Sequence, residues 1–374
     1  MNFSFWEQQT FFKDIDFAVI GSGVVGLNAA IALKSNQPNA KVVVFERGLL
    51  PSGASTKNAG FACFGSVSEL LENLKTYSEN EVFSLVERRY KGLQKLRSIL
   101  GDADMDFQHN GGHEVFIDED LYQKCEDAIP YFNKNLASIV GKDVFSSADS
   151  HIESLGFQGV KHLIFNAYEG QIYTGKTMQA LIAHARNLGI EILNGIKIES
   201  VEDLHTHSLL HLDANTSIKV KAAVVATNGF AKQLLPELDL APGRGQVLVT
   251  KPIENLKLKG IFHYDAGFFY FRNIGDRILL GGGRNLDFKA EETTEFGLTD
   301  LVQNELHRLL EEVIIPNQAY QIETKWSGIM GFGTQQAPIV KKVSDTIFCA
   351  VKMQGMGVAL GSLVGEEVAE LVLA

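Results

Sequence analysis

The sequence predicts a two-domain α/β protein, in which a nucleotide-binding domain is interleaved with a β-rich α+β domain. The chain has 374 residues, which is long for a single hydrophobic core. An apolar run near its start ends in glycines and continues as a β-α-β pattern. Segments with this β-α-β pattern alternate twice with segments that lack it. Such alternation is typical of a discontinuous domain rather than of two domains joined by a linker.

The first β-α-β unit occupies the beginning of the fold. Residues 15–20 (IDFAVI) form a short apolar run, as in a buried strand. Residues 24–35 (VVGLNAAIALKS) continue with helical spacing, and residues 41–46 (KVVVFE) form a second apolar run. This order predicts two buried strands joined by a helix.

The turn between the first strand and the helix carries the spacing of a dinucleotide-binding fingerprint, GSGVVG. Gly21 permits the tight turn, Gly23 lets a pyrophosphate approach the backbone, and Gly26 lets the helix pack closely on the strand. Glu46 ends the next strand, where a carboxylate binds ribose hydroxyls and disfavours a 2′-phosphate. The pattern therefore predicts a Rossmann-type domain, the alternative being a glycine turn with a surface glutamate.

The loop at residues 53–60 favours FAD over NAD as the dinucleotide. FAD is longer, so its ribityl chain and flavin must be followed by more protein beyond the ribose acid. Ser55, Thr56 and Asn58 offer hydrogen-bond donors and acceptors, and the small residues around them let the backbone approach a ligand closely. The alternative is a solvated turn.

The later elements alternate between helices and strands. The pattern predicts helices over 66–100 and 119–138, a strand at 111–117, and a second β-α-β pattern over 162–203. Further expected elements are strands at HSLLHL and IKVKAAVVA, three β-rich runs within 243–283, a helix at 297–313, a strand at YQIETKWSG, and a final strand and helix from TIFCAV to GMGVALGSLVGEEVAELV. From this order we predict a cofactor domain made of residues 1–75, 150–235 and 326–374, and a substrate domain made of residues 76–149 and 236–325.

Composition narrows the class of protein. A formal net charge of -11 argues against a nucleic-acid surface, which needs clustered Lys and Arg. Cys63, Cys125 and Cys349 form no CxxC pair, which fits a reducing cytoplasm and gives no disulfide or zinc framework. The histidines of HTHSLLH have no carboxylate or cysteine that completes a ligand pattern, so we predict no metal.

The two ends of the sequence carry no targeting or membrane signal that we recognise. The first residues lack a basic stretch followed by an apolar one, and the apolar C-terminal run is interrupted by three glutamates. We therefore expect a cytoplasmic protein with no integral membrane segment. The oligomeric state is left open.

Taken in order, these segments resemble the D-amino-acid oxidase-like family of FAD-dependent oxidoreductases, which includes glycine oxidase, sarcosine oxidase and gamma-glutamylputrescine oxidase. The resemblance spans nearly the whole chain. It is carried by FxVIGSGVVGLNAAIAL, VVVFER, GASTKNAGF, EGQIYTGKTMQALIAHARNLGIEIL, AAVVATNGF, GRGQVLVTKPI, RILLGGG, KWSGIMGF and MQGMGVALGSLVGEEVAEL.

The resemblance implies a cofactor site for non-covalent FAD and the reaction that it serves. The reaction is oxidation of a C–N bond of a small amine or amino acid by hydride transfer to flavin N5, with oxygen as acceptor. The alternatives are a dehydrogenase that passes electrons to a quinone or a protein, and a flavin-binding protein without amine turnover. The cofactor-binding residues expected from the motifs are Gly21, Gly23, Gly26, Glu46, Arg47, Ser55, Thr56, Lys57, Asn58, Ala59, Gly60, Ile198, Ala226, Thr227, Asn228, Gly229, Gln354, Gly355, Met356 and Gly357.

The sequence departs from the family at the substrate side. Met330 stands where the glycine oxidase branch has its carboxylate-binding arginine, and Leu279 stands where the sarcosine oxidase branch has a lysine. No cysteine lies near Met330 like the one that tethers the flavin in that branch, which favours non-covalent FAD.

Strand alternation nominates other substrate-side residues. Tyr270 and Arg272 are two apart on GFFYFR and so face the same side of a strand. Arg244 and Gln246 have the same relation, and Arg284 follows RILLGGG. We take Tyr270 and Arg272 as the candidates for positioning the substrate, the alternative for each being the solvated side of a strand.

Overall fold

The computed structural model describes residues 3–374, so the first two residues of the predicted cofactor domain lie outside the described residues. Within this range the strands form two sheets of eight strands each and one pair of short strands. The predicted fold class, a Rossmann-type part interleaved with a β-rich part, is confirmed.

The first sheet has parallel strands at its centre. The strand Ile15–Ile20 pairs in parallel with its neighbour on each side. Such strands are covered by helices on both faces, which explains their continuous apolar character. The strands lie in the order Ile339–Lys342, Ile347–Val351, Thr216–Val225, Ile15–Ile20, Val42–Glu46 and Glu191–Asn194, while Ser208–Asp213 pairs with Thr216–Val225 and also with Ser200–Asp203.

One face of the first sheet is covered by closely packed helices. The helix Gly357–Leu373 lies against Val24–Asn36 and against Glu79–Leu100. Glycines permit the close approach, since a Cβ at Gly361 would lie 2.6 Å from Val24 Cγ1 and one at Gly92 would lie 2.1 Å from a carbonyl oxygen of the last helix. The helix Thr174–Asn187 joins the same core through Met178, Leu181 and Ala185.

The second sheet contains mostly antiparallel strands. It runs in the order Ile322–Phe332, Ala241–Thr250, Arg277–Gly282, Phe269–Ile274, Ile261–Tyr264, Gly112–Phe116, His162–Asn166 and Phe145–Ser147. The helix Asp300–Leu309 packs on one core of this sheet, and Val67–Leu74 and Glu119–Leu136 contribute to another.

Shorter elements complete the described chain. The pair Phe61–Ala62 and Gly170–Gln171 is antiparallel. The short helices are Phe5–Glu7, Asp102–Met105 and Ile152–Leu155, the 3₁₀ turns are Ala54–Thr56, Asp149–His151, Asn228–Gln233 and Arg284–Leu286, and the π-helical turns are Gln8–Phe12 and Leu310–Ile314. No helix within residues 3–374 is both long enough and apolar enough to cross a membrane.

Several strands differ from the expectation, among them Phe145–Ser147 and Ile339–Lys342, which were not anticipated. His162–Asn166, which the sequence grouped with a nucleotide-type β-α-β pattern, pairs antiparallel with Gly112–Phe116 in the second sheet. Ile261–Tyr264 was not anticipated, and Ile322–Phe332 lies wholly in the second sheet although the predicted boundary falls at 326. The sequence of a short apolar run does not tell which sheet the strand joins, because distant segments decide its pairing. The domain bounds themselves stay a prediction.

Candidate cofactor and substrate site

A cavity of about 500 Å³ lies where the carboxyl end of the first sheet meets the second sheet. Its walls on one side include Ile20, Phe45 and Ala226, which end or follow strands of the first sheet, and on the other side Val247 and Tyr270 of the second. Ligands of open α/β sheets bind outside the carboxyl ends of the strands, so the cavity is in the position expected of a dinucleotide site.

The end of the cavity at the first sheet is organised around Glu46. Its side chain is 5% exposed, and it accepts hydrogen bonds from both the N–H (3.2 Å) and the hydroxyl (2.8 Å) of Ser22. Its other oxygen accepts from the N–H of Gly48 at 2.9 Å and from Ser52 Oγ at 3.0 Å. The carboxylate is therefore fixed at the cavity wall, and its role as a ribose-binding acid stays a prediction.

The glycine turn has the contacts that its spacing predicts. Gly21 has φ +107°, and a Cβ there would lie 2.9 Å from the carbonyl oxygen of Ala226. A Cβ at Gly26 would lie 2.0 Å from the carbonyl oxygen of Gly21, so helix and strand touch at this point. Gly23 lines the cavity, whereas Gly26 is enclosed by the helix–strand contact.

Two helices that begin at the cavity, Val24–Asn36 and Gly357–Leu373, have no side-chain cap from their N-cap residues, and neither has Thr174–Asn187, whose first residue also lines the cavity. The helices after Ser66, Ser78 and Asp118 are capped by these residues, whereas Asp300–Leu309 has no side-chain cap. The N–H of Val24 instead donates to Ser55 Oγ at 2.9 Å, across the cavity wall. Uncapped helix N-termini carry partial positive charge, so this arrangement suits a diphosphate at one helix and an electron-rich ring edge at the other.

The loop at residues 53–60 is held in place by its own polar groups and by the second sheet. Asn58 Oδ1 accepts from the N–H of Gly60 at 2.8 Å and from Thr174 Oγ1 at 2.9 Å. The indole of Trp326 donates to the carbonyl oxygen of Lys57 at 2.9 Å. The loop thus joins the two sheets along the cavity.

The structure places most of the expected cofactor residues at the cavity wall. Thr227 Oγ1 is buried with no hydrogen-bond partner within residues 3–374, which leaves a polar atom available to a ligand. Those that line the cavity are Gly21, Gly23, Glu46, Arg47, Ser55, Lys57, Asn58, Ala59, Ile198, Ala226, Thr227, Asn228, Gln354, Gly355, Met356 and Gly357.

Gly26, Thr56, Gly60 and Gly229 lie behind this wall. Thr56 Oγ1 donates to the carbonyl oxygen of Pro51 at 2.6 Å. Cβ atoms at Gly60 and Gly229 would each lie within 2.5 Å of a neighbouring backbone oxygen. These positions support the loop and strand ends rather than border the cavity.

The two substrate-positioning candidates face the same side of their strand but differ in environment. Tyr270 lines the cavity, its ring meets Phe61 edge-on at 5.6 Å, and burial raises its pKa to about 12. Arg272 Nη1 donates to the carbonyl oxygens of Gly60 at 2.9 Å and Ile172 at 2.7 Å, and burial lowers its pKa to about 10. The substrate role of Tyr270 stays a prediction, whereas this geometry argues for a supporting role of Arg272.

Arg244 and Gln246 are also committed to protein contacts. Arg244 forms a two-point ion pair with Glu291, at 2.7 and 3.0 Å, and Gln246 Nε2 donates to the same carboxylate at 2.8 Å. Leu279 packs in a small core with Ala59.

A buried polar cluster next to the cavity was not found from the sequence. His263 Nε2 and Glu169 Oε2 form an ion pair at 3.0 Å, and Glu169 Oε1 accepts from the N–H groups of Phe64 and Gly65. Cys63 completes a group whose ligand atoms lie within 4.8 Å of one another, so the expected absence of a metal stays a prediction.

The charges of this cluster affect its titration. Burial raises the pKa of the Cys63 thiol well above its ordinary value, and the Glu169 carboxylate adds to the effect. Burial also acts against the charged form of His263, but the charge and hydrogen bond of Glu169 outweigh it and raise the pKa of the imidazole. No sequence signal predicts this cluster, because its members lie on three distant segments and His263 belongs to the strand that was not anticipated.

A Rossmann-type sheet, an acidic residue at its second strand and a cavity that continues onto a second sheet are features expected of a flavin-dependent oxidoreductase. Residues 16–371 match the family model described as FAD dependent oxidoreductase (DAO), and the chain belongs to this family. It is therefore an enzyme of the FAD-dependent oxidoreductase class, as the sequence predicted.

Two distant relatives match almost the whole chain. A glycine oxidase of Geobacillus kaustophilus is 23% identical over 96% of this chain and 92% of its own length. A probable oxidoreductase, OrdL, of Haemophilus influenzae is 19% identical over 96% of this chain and 83% of its own. Among solved structures, L-proline dehydrogenase from P. horikoshii superimposes with a TM-score of 0.76 at 17% identity, over 97% of this chain and 94% of that one.

Proposed function

We propose that this enzyme oxidises a C–N bond of a small amine or amino acid, with non-covalent FAD as its cofactor and oxygen as its electron acceptor. The observation that carries the proposal is the single cavity that runs from Glu46 at the first sheet to Tyr270 at the second. The named activities of glycine oxidase and L-proline dehydrogenase among the similar proteins support the substrate class.

We assign the cofactor residues by position along the cavity. Glu46 would bind the adenosine ribose, and the loop at residues 53–60 would follow the ribityl chain towards the flavin. The uncapped N-terminus of helix Gly357–Leu373 would meet the flavin edge that becomes negative on reduction. The chain would supply placement and electrostatics, and the bound FAD would supply the acceptor for a hydride from the substrate carbon.

The second sheet would supply the substrate pocket. Tyr270 and Phe61 give it aromatic walls, and the Tyr270 hydroxyl has no hydrogen-bond partner among residues 3–374. Such a hydroxyl would donate to a substrate atom, since the raised pKa of Tyr270 keeps its proton on at neutral pH. A substrate amine that arrives neutral requires no further acid–base pair, because the hydride departs without a preceding proton transfer.

The state of the cysteines supports a proposal for the location. Cys63, Cys125 and Cys349 are all free and buried, which fits a reducing compartment. We therefore propose the cytoplasm as the place where the enzyme acts.

Anaerobic flavin bleaching tests the proposal. We expect the bound flavin to lose its absorbance with some members of a panel of amines, N-methyl amino acids and D-amino acids. Bleaching by none of them would support the alternative of a flavin-binding protein without amine turnover.

Stopped-flow mixing of the reduced enzyme with oxygen tests the acceptor. Fast reoxidation is the expected result. Slow reoxidation with oxygen and fast reoxidation with a quinone would instead identify a dehydrogenase, an outcome that Leu279 at the position of the family's lysine keeps open.

A further inference from the structure

Arg284 lies at the substrate end of the cavity, and the sequence favoured Tyr270 and Arg272 over it as substrate-positioning residues. It follows the strand Arg277–Gly282, after Gly283 in the left-handed region with φ +78°. The turn at Gly283 brings the arginine to the cavity wall, where its side chain is partly buried.

The guanidinium of Arg284 has aromatic neighbours and forms no direct ion pair, although the charges of Glu291 and Glu292 act on it from nearby. Its carbon lies 3.8 Å from the ring centroid of Phe332 and 4.6 Å from that of Phe288. Within residues 3–374 no carboxylate and no hydrogen-bond acceptor is paired with it. The neighbouring arginines of the second sheet differ, since Arg244 is bound to Glu291 and Arg277 to Glu323.

A partly buried guanidinium without a hydrogen-bonded carboxylate can accept an anionic ligand. Burial lowers the pKa of Arg284, although an arginine stays charged near neutral pH. Its planar fork offers parallel N–H donors that match a carboxylate, and the flanking rings hold the plane of the fork. The other cations near this end are less suited: His263 is paired with Glu169, and the ammonium of Lys57 is a point charge that lies over the ring of Phe296.

Arg284 also lies on the face of the second sheet that carries Met330. Phe332 is two residues beyond Met330, so both side chains leave the strand on the same face. Gly243 pairs with Met330, and Arg284 Cδ lies 3.4 Å from the point where a Cβ of Gly243 would be. The arginine thus crosses a glycine of the middle strand towards the position where the family's arginine is replaced by methionine.

We propose that Arg284 binds the carboxylate of the substrate, so that the enzyme acts on amino acids in preference to amines without a carboxylate. This inference rests on the proposed C–N oxidation. It adds a specificity-determining residue and narrows the substrate class.

Matched substrate pairs test the inference in the holoenzyme. The pairs are glycine and methylamine, sarcosine and dimethylamine, L-proline and pyrrolidine, and D-alanine and ethylamine, which differ only by the carboxylate. We expect the carboxylated member to bleach the flavin at lower concentration. Arg284→Gln should raise the apparent Kd of the carboxylated substrate about 10- to 100-fold, because a two-point charged contact is lost. The apparent Kd of the matching amine should change little.

A binding measurement tests the role of Arg284 without requiring turnover. Benzoate, with benzamide as the neutral control, is titrated against the oxidised holoenzyme and followed by the change in flavin absorbance. Arg284→Gln should weaken benzoate binding about 10- to 100-fold, and Arg284→Lys should weaken it less. Arg277→Gln, which changes a partly exposed arginine at the start of the preceding strand, should leave it unchanged.

Three results would overturn the inference. Arg284→Gln could weaken benzoate and benzamide equally, it could leave the carboxylate preference intact while Lys57→Met removes it, or it could release FAD with no effect on ligand binding. If no pair bleaches the wild-type flavin, the proposed reaction fails, while the benzoate titration still decides the role of Arg284.

Discussion

Arg272→Met should damage the flavin loop rather than substrate recognition. Arg272 Nη1 donates to three carbonyl oxygens, those of Ala59 at 3.3 Å, Gly60 at 2.9 Å and Ile172 at 2.7 Å. The carbonyl of Gly60 also accepts the N–H of Ile172, so it keeps a partner when the arginine is removed. The carbonyls of Ala59 and Ile172 would lose the guanidinium.

The size of the effect follows from those two carbonyls. A buried acceptor left without a donor costs about 1–3 kcal/mol, which gives about 2–6 kcal/mol for the pair. The unfolding entropy of about 2 cal/mol/K per residue amounts to about 0.8 kcal/mol/K for 374 residues. We therefore expect the thermal midpoint to fall by about 3–8 °C.

The assay is thermal unfolding of the holoenzyme, followed by the fluorescence of released flavin and compared with the substrate KM. Arg277→Met is the matched control, because that arginine lies on the adjacent strand with a 36% exposed side chain and one surface ion pair, worth about 0–1 kcal/mol. An unchanged midpoint together with a KM raised more than about tenfold would refute the reasoning and restore Arg272 as a substrate-positioning residue.

Three further outcomes are expected. Gly92→Ala should lower the thermal midpoint by about 1–4 °C, because its Cβ would lie 2.1 Å from a carbonyl oxygen of the last helix, whereas the exposed Lys91→Ala on the same helix should not. Glu169 raises the pKa of His263 above 6.5, so the stabilisation by this pair is complete below that pH and is lost as the pH rises through the folded-state pKa. Thermal midpoints of wild type and His263→Gln, measured from about pH 6 to about pH 9, should therefore converge, and parallel profiles would contradict the assignment. Acid precipitation should release all flavin into the supernatant, because the raised pKa of Cys63, a cysteine of the cavity wall, keeps it a thiol; retained flavin would show a covalent bond.

The features that the sequence predicted well are local ones. The strand Ile15–Ile20, the glycine turn and Glu46 lie close together in the chain. The strand is largely buried, the glycines make close backbone contacts, and Glu46 accepts a hydrogen bond from Ser22. A Cβ at Gly26 would meet a backbone oxygen only five residues away. The spacing of the glycines in the sequence is therefore enough to predict this close contact.

The features that the sequence did not predict depend on distant pairing. His162–Asn166 could join either sheet, since an apolar strand buries its side chains in both, and only its antiparallel register with Gly112–Phe116 decides. The cluster of Cys63, Glu169 and His263 is assembled in the same way, because its ion pair joins residues 94 positions apart. Periodicity describes which face of an element is buried but not what it is buried against.

The substrate side shows how a motif can be absent while its chemistry remains. Met330 replaces the family's arginine on the strand Ile322–Phe332. Arg284 nevertheless approaches the same face of the sheet, from the turn after a strand that lies two places away. Adjacent strands lie about 4.8 Å apart, so the side chain has to cross the strand between them. It can do so because that strand carries Gly243, where a Cβ would lie 2.4 Å from the ring of Phe332. A larger residue at 243 would displace Phe332 and with it the surface on which the guanidinium lies, so the glycine and the arginine belong to one arrangement.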